Sequence, residues 1–226
     1  MPEPLKVNPL RDVLTPKPPT PVEQIAELLS KGILSPSFFA GVQAHIKAAK
    51  FINAFKFGEG PVTSPRTCGY ISQLLTMEKG DYIETGTRFG GSALVASLFE
   101  DSVVTIDPAY EKEFSEVMEK VAKVGRDKIT RIGKKSSDVK RLPKRNYTVG
   151  LIDGSHEYDD AMVDFVLFDK YVSNFIILDD VDLPGVSEAI RTIINSYKAW
   201  TLVSLAYPTT AVFAKTPNSN VAYGAF

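Results

Sequence analysis

Residues 79–92 read KGDYIETGTRFGGS. A short apolar run, Asp81–Glu84, gives way to a loop with glycines at 86, 90 and 91, and a helical pattern follows over Gly91–Phe99. The order is strand, glycine-rich turn, helix. Glycine lets a backbone turn tightly and approach a ligand closely, and a helix starting at the end of the loop points its free amides back at it. A purely structural turn would need only one of the three glycines. In open α/β sheets, ligands sit at the carboxyl ends of the strands, so the loop is a candidate binding site.

Working outward toward the C-terminus, the alternation continues. Ser102–Asp107 (SVVTID), Lys128–Ile132, Thr148–Asp153 (TVGLID) and Asn174–Asp179 (NFIILD) read as strands. Between them Glu111–Val124, Glu157–Val172 and Pro184–Tyr197 read as helices, the second with Ala161, Phe165, Phe168 and Val172 in register. Pro184 suits a first helical turn. Trp200–Ala206 and Thr210–Lys215 are two strands whose link, with Tyr207 and Pro208, is short enough for a hairpin. Alternating strands and helices predict a mostly parallel α/β sheet covered on both faces, and the closing hairpin makes the last strand antiparallel.

Toward the N-terminus, three helices are expected over Val22–Lys31, Pro36–Phe55 and Ser64–Met77. Residues 1–21 carry seven prolines from Pro2 to Pro21 and should be extended, because proline fixes φ and removes amide donors. The chain thus divides into a proline-rich arm (1–21), an N-terminal helical segment (22–78) and an α/β domain (79–226).

Composition narrows the function. The 226 residues carry a net charge of -1, which leaves no overall electrostatic footprint for nucleic acid. Lys134, Lys135, Lys140, Arg141, Lys144 and Arg145 cluster locally, as a solvated surface would. The one cysteine, Cys68, excludes an internal disulfide and argues against a Cys-based zinc site. As a nucleophile it would need His45 or His156 as base, and a buried inert thiol is the simpler reading. His45 beside its helical stripe reads as a packing or surface residue. No run approaches the ~18–20 apolar residues of a membrane span, and the N-terminus lacks the apolar core of a secretory signal. A soluble cytoplasmic protein is expected.

Two groups of residues carry chemistry. Asp107 ends the second strand about 20 residues after the loop, where a carboxylate can accept hydrogen bonds from ribose hydroxyls. The loop is acidic-x-Gly-x-x-x-Gly-Gly and lacks the middle glycine of the dinucleotide fingerprint G-x-G-x-x-G. Its Glu84 is a poor neighbour for pyrophosphate and a good one for an amino-acid ammonium, which favours S-adenosylmethionine over NAD. The second group is Asp153, Asp179 and Asp180, after the fourth and fifth strands. If these strands are adjacent, the three carboxylates converge and repel unless a cation such as Mg²⁺ lies among them. Asp153 could instead bond loop amides, and Asp179 or Asp180 could cap the next helix. His156 suits a general base, a metal ligand or a helix cap.

Glu84–Ser92 (ETGTRFGGS), Val104–Pro108 (VTIDP), Leu151–Tyr158 (LIDGSHEY) and Ile177–Val186 (ILDDVDLPGV) together resemble the class I S-adenosylmethionine-dependent methyltransferases. More narrowly they are similar to the metal-dependent sugar O-methyltransferases and cephalosporin-hydroxylase-like proteins. The resemblance covers about residues 79–216. It implies a Rossmann-like seven-stranded sheet of order 3-2-1-4-5-7-6 with the seventh strand antiparallel. It places Glu84, Gly86, Thr87, Gly91 and Ser92 around the methionine part of the cofactor, Asp107 at the ribose, and Ser136, Ser137 and Asp138 at the adenine. It assigns Mg²⁺ to Asp153, Asp179 and Asp180. Those sugar methyltransferases carry a basic Asp two residues after the first metal acid, where this chain has Ser155 and then His156. His156 is therefore the nominated base, with Asp153 beside it.

The expected activity is methyl transfer to a hydroxyl of a small-molecule acceptor with metal assistance, in a homo-oligomer such as a dimer. A metal-dependent hydrolase or oxygenase on the same fold, and a non-catalytic S-adenosylmethionine-binding module, are the alternatives.

Overall fold

The central strands of the sheet are buried on both faces and the two edge strands only in part. In the computed structural model, which describes residues 19–53, 63–121, 126–144, 146–206 and 208–216, they are β1 (Tyr82–Thr85), β2 (Val103–Ile106), β3 (Ile129–Ile132), β4 (Tyr147–Ile152), β5 (Val172–Asp179), β6 (Trp200–Ala206) and β7 (Thr210–Lys215). Every residue of β1, β2 and β4 is buried. One sheet of order β3-β2-β1-β4-β5-β7-β6 results, with β7 antiparallel to both neighbours. The order expected from the resemblance is the observed one. Residues 1–18, Phe55, Arg145 and Tyr207 lie outside the described residues, and with them most of the proline-rich arm.

The helices are α1 (Pro21–Ser30), α2 (Pro36–Asn53), α3 (Pro65–Met77), α4 (Gly91–Ser97), α5 (Glu111–Val121), α6 (Tyr158–Tyr171) and α7 (Pro184–Ser196). Pro21, read from sequence as part of the extended arm, is instead the first residue of α1. Its fixed φ and missing N–H suit that position. Thr20 caps the helix, and the Glu23 carboxylate accepts from the Thr20 amide at 2.7 Å. α6 stops at Tyr171 and β5 starts at Val172, two residues before the expected strand. None of the described helices is long and apolar enough to cross a membrane.

Alternate residues of β5 point to opposite layers. Phe175 and Ile177 pack with Ile25 and Leu29 of α1 and Ile71, Leu74 and Leu75 of α3. Ile176 and Leu178 pack with Phe165 and Phe168 of α6 and Ile190 and Ile193 of α7. Each such side chain contributes about 1.5–3 kcal/mol by burial. The N-terminal helices therefore share the core of the sheet. That packing brings the start of α3 to the carboxyl edge of β4 and β5, where its polar first turn meets their acids.

Candidate active site

The loop after β1 is shaped by left-handed backbone. Gly86 (φ 81) and Gly90 (φ 86) adopt it freely, and Arg88 (φ 46) adopts it without being glycine. A Cβ on Gly86 would run into the carbonyl oxygen of Asp153, so the loop touches the β4 loop backbone to backbone. Asp107, after β2, ties the two sides of this corner. Its Oδ2 accepts from the Arg88 amide and its Oδ1 from the Ala109 amide, both at 2.7 Å. A carboxylate oxygen has two lone pairs, so each retains capacity for a ligand hydroxyl. Glu84 lies beneath the loop, fully buried. Its Oε2 accepts from the Tyr82 hydroxyl at 3.0 Å, and Oε1 has no partner among the described residues. Burial pushes its pKa from 4.5 to about 7, helped by the charge of Asp107 and opposed by the Ser92 and Tyr82 hydroxyls.

The acids beyond β4 and β5 take different roles. Asp179 is buried and turned toward α3, where its carboxylate accepts from the Ser64 amide at 2.9 Å and the Thr67 hydroxyl at 2.6 Å. Burial raises its pKa from 3.8 to about 6, against these hydrogen bonds and with the charge of Asp180 adding to the rise. Asp153 accepts from the Thr63 hydroxyl at 2.7 Å. Burial, then the charge of Asp179, pushes the Asp153 carboxyl well above the usual carboxylate range. Asp180 has left-handed backbone (φ 52), and its Oδ2 lies 3.0 Å from Nε2 of His156. Asp153, His156 and Asp180 each offer one ligand atom, all within 4.8 Å of one another. Asp179 is not one of those three, although its charge is the largest acting on Asp153; two of the three acids expected from sequence offer ligand atoms to one point, and His156 completes the set. A Cβ on Gly185, in the first turn of α7, would run into the His156 carbonyl oxygen, so α7 fixes the His156 loop.

A cavity of about 590 Å³ joins the two edges. Its walls include Gly86, Thr87, Gly91, Ser92, Asp107, Ser136 and Ser137 on one side and Asp153, His156 and Asp180 on the other. Glu84, Asp138 and Asp179 are not among the lining residues. Over the loop lies α2, with His45, Ala48, Ala49 and Ile52 facing the cavity. The Thr87 hydroxyl is buried with no hydrogen-bond partner among the described residues.

No family model matches the sequence, and no curated protein does. Solved structures do resemble it. The O-methyltransferase TomG of Streptomyces achromogenes, involved in tomaymycin synthesis and determined with S-adenosylmethionine, is 16% identical, with a TM-score of 0.57 over 85% of this chain and 96% of that one. The O-methyltransferase of Bacillus cereus in complex with S-adenosylhomocysteine is 12% identical, with a TM-score of 0.60 over 85% and 97%. Cofactor-bound Rv0187 from MTB is 16% identical, with a TM-score of 0.60 over 89% and 100%. This is the class I methyltransferase fold.

Within that fold, the cavity residues Asp164 and Thr63 went unnamed in the sequence reading, and His45, read there as a packing or surface residue, also lines the cavity. Asp164 sits in the apolar stripe of α6, and a charged residue there was a usable signal. His45 is buried against Cys68, with Nδ1 3.5 Å from the thiol sulfur, and it also lines the cavity. Burial holds its imidazole below the usual pKa. Burial and the charges of Asp179, Asp153 and Glu84 push the Cys68 thiol well up. It is a poor nucleophile in that setting. Thr63 gave no sequence signal at all, because only the packing of α3 brings it to Asp153.

Proposed function

We propose that the protein transfers a methyl group from S-adenosylmethionine to a hydroxyl of a small molecule, with a divalent cation held by Asp153, His156 and Asp180. The observation that carries this is the single cavity connecting the glycine-rich loop and Asp107 to those three ligand atoms. The residues present fit both groups. The buried Thr87 hydroxyl is a polar group waiting for a partner, and Asp107 keeps acceptor capacity toward a ribose. Two carboxylates suit Mg²⁺, while the imidazole nitrogen also admits Mn²⁺.

When bound, S-adenosylmethionine supplies a methyl group already activated on a sulfonium, and the cation lowers the pKa of a hydroxyl oxygen it holds. The chain supplies position. The loop from Gly86 to Ser92 holds the methionine part, Asp107 the ribose, and Ser136 and Ser137 border the adenine. α2 roofs the cavity with Ala48, Ala49 and Ile52, which exclude water, and with a neutral His45. Much of the acceleration is then orientation of the acceptor oxygen. Asp179 acts one step back, fixing the strand end that carries Asp180.

The 3.0 Å contact between His156 and Asp180 favours a second role for His156. The carboxylate can hold the ring so that its other nitrogen takes the proton of the acceptor hydroxyl. The two roles separate in His156→Ala. Loss of cation affinity marks a ligand; intact cation affinity with turnover lost marks a base.

Calorimetric titration with S-adenosylhomocysteine, with and without Mg²⁺ or Mn²⁺, tests the whole proposal. Saturable binding is expected in both conditions, with a cation-dependent change in affinity. Cation binding without nucleoside binding would point to a metal-dependent hydrolase or oxygenase. Nucleoside binding without cation binding would point to a non-catalytic or metal-free module.

A further inference from the structure

α2 and α3 meet where no side chain holds them apart. A Cβ on Gly41 would run into the Cys68 carbonyl oxygen and the Ser72 hydroxyl. One turn later, the same approach lays the His45 ring on the Cys68 thiol, with Nδ1 3.5 Å from the sulfur. Cys68 is fully buried, and burial with the charges of Asp179 and Asp153 keeps it a thiol. Burial likewise keeps the His45 imidazole neutral. A neutral imidazole has one N–H and one lone pair, and that lone pair is a better acceptor than a thiol sulfur. The S–H therefore donates to Nδ1, and the ring proton sits on Nε2. His45 is 8% exposed and lines the cavity, and Nε2 has no hydrogen-bond partner among the described residues. A buried N–H without an acceptor is unfavourable, and a ligand oxygen in the cavity would relieve it.

The position of His45 along α2 indicates which ligand. Ile52, seven residues and about 10 Å farther along the helix, lies over the β1 loop, its Cδ1 3.6 Å from where a Gly91 Cβ would stand. His45 stands at the other end of this roof, and Thr63, which holds Asp153, lines the same cavity. The carboxylates acting most strongly on Cys68, against which His45 packs, are Asp179 and Asp153, ahead of Glu84. Resting on the proposed function, which puts the cofactor at the loop and the acceptor at the cation, we propose that His45 donates a hydrogen bond from Nε2–H to a second oxygen of the acceptor, and so selects hydroxy compounds that also carry a carbonyl. The reacting oxygen is the wrong partner, because a hydrogen bond from His45 would hold the electron pair that must attack the methyl group. A carbonyl oxygen only accepts, which matches a ring that, with Nδ1 occupied, only donates. His45 is then a specificity-determining residue, and Cys68 is the positioning residue that sets its tautomer.

The test is nitrogen NMR on the full chain with isotope-labelled histidine, in which His45 and His156 give the only two ring systems and His156→Ala assigns them. The free protein should show His45 protonated on Nε2 and bare at Nδ1. With S-adenosylhomocysteine and Mg²⁺ present, at least one of meta- and para-hydroxyacetophenone should shift the Nε2–H signal. It should bind about 3- to 10-fold tighter than the matching ethylphenol, which lacks the carbonyl, as for one neutral hydrogen bond. His45→Phe, which keeps a ring and removes the donor, should bring each pair to within about twofold. Cys68→Ala should mix the tautomers, and Cys68→Ser, whose hydroxyl also donates, should restore the Nε2 proton. A proton on Nδ1 in the free wild type, equal binding within both pairs, or an undiminished preference in His45→Phe overturns the role of His45. The wild-type readings decide the matter if His45→Phe does not fold. S-adenosylhomocysteine binding is read on the same samples, and its loss overturns the proposed function separately, since the tautomer and the phenol preference are still measured without it.

Discussion

On the β1–β2 side of the sheet's carboxyl edge the acids are held mostly by near neighbours in the chain, whereas on the β4–β5 side they are held from far away. Glu84 bonds Tyr82, two residues off, and Asp107 bonds Ala109 and the loop amide of Arg88, 19 residues away. Asp153 bonds Thr63 across 90 residues, and Asp179 bonds Ser64 and Thr67 across 115 and 112. The first side needs only β1, its turn and the end of its paired neighbour β2. The second exists only once α3 has docked, so its acids report on the packing of the N-terminal helices.

Gly86 is where the two sides touch, so the largest effect is expected there. Gly86→Ala adds a Cβ against the Asp153 carbonyl and strains a positive φ. It should cost about 3–5 kcal/mol in urea unfolding and abolish S-adenosylhomocysteine binding. A variant of wild-type stability and affinity would mean that the two loops do not meet.

Next in size is the pH response. Glu84 shifts from 4.5 to about 7, and Asp164 and Asp179 from 3.8 to about 6. Raised carboxyl pKa values mean that the folded protein binds more protons than the unfolded chain between those limits. Their stability contribution is complete below pH 4 and is lost as pH rises through 6 to 7, on the order of 3 kcal/mol for Glu84 alone. His45, whose pKa is lowered, acts in the opposite sense below 6.5. The difference between wild type and Glu84→Gln therefore isolates the local side: the variant should lose less stability from pH 4 to 7, and parallel curves would contradict the burial of Glu84.

Asp180→Ala should weaken Mn²⁺ binding about 10- to 100-fold by calorimetry and leave S-adenosylhomocysteine affinity within about threefold. Unchanged Mn²⁺ affinity would remove Asp180 from the cation site. Thr67→Val removes the hydroxyl between Asp179 and Thr210 and should destabilise by about 1–3 kcal/mol. A neutral result would show that α3 does not hold that acid. Smallest of all, Asp138→Ala should change nucleoside affinity less than about twofold, because Asp138 is exposed and outside the cavity.

The local side was legible in the sequence for the reason that it is local. Glu84 to Ser92 and Asp107 encode a turn and a strand end within some two dozen residues, and the structure sets Gly86, Thr87, Gly91, Ser92 and Asp107 around one cavity. Glu84 was legible as an acid of that corner, but not its depth beneath the loop, since burial depends on what packs over it. The distant side was legible only as three acids near one edge. The backbone turn at Asp180 and the hydroxyls of α3 sent Asp179 and Asp180 in different directions.

The sequence by itself determined the alternation of strand and helix, the parallel sheet with its antiparallel closing strand, and the glycine-rich loop. Each follows from periodicity and turn chemistry within a short window. Tertiary structure alone decided that His156 completes the group with Asp153 and Asp180, that Asp179 caps its strand against α3, and that Asp164 rather than Asp138 faces the cavity. Apart from Asp153 and His156, which are close in the chain, those outcomes depend on side chains meeting across 24 to more than 100 residues, and no periodicity in the chain records such meetings.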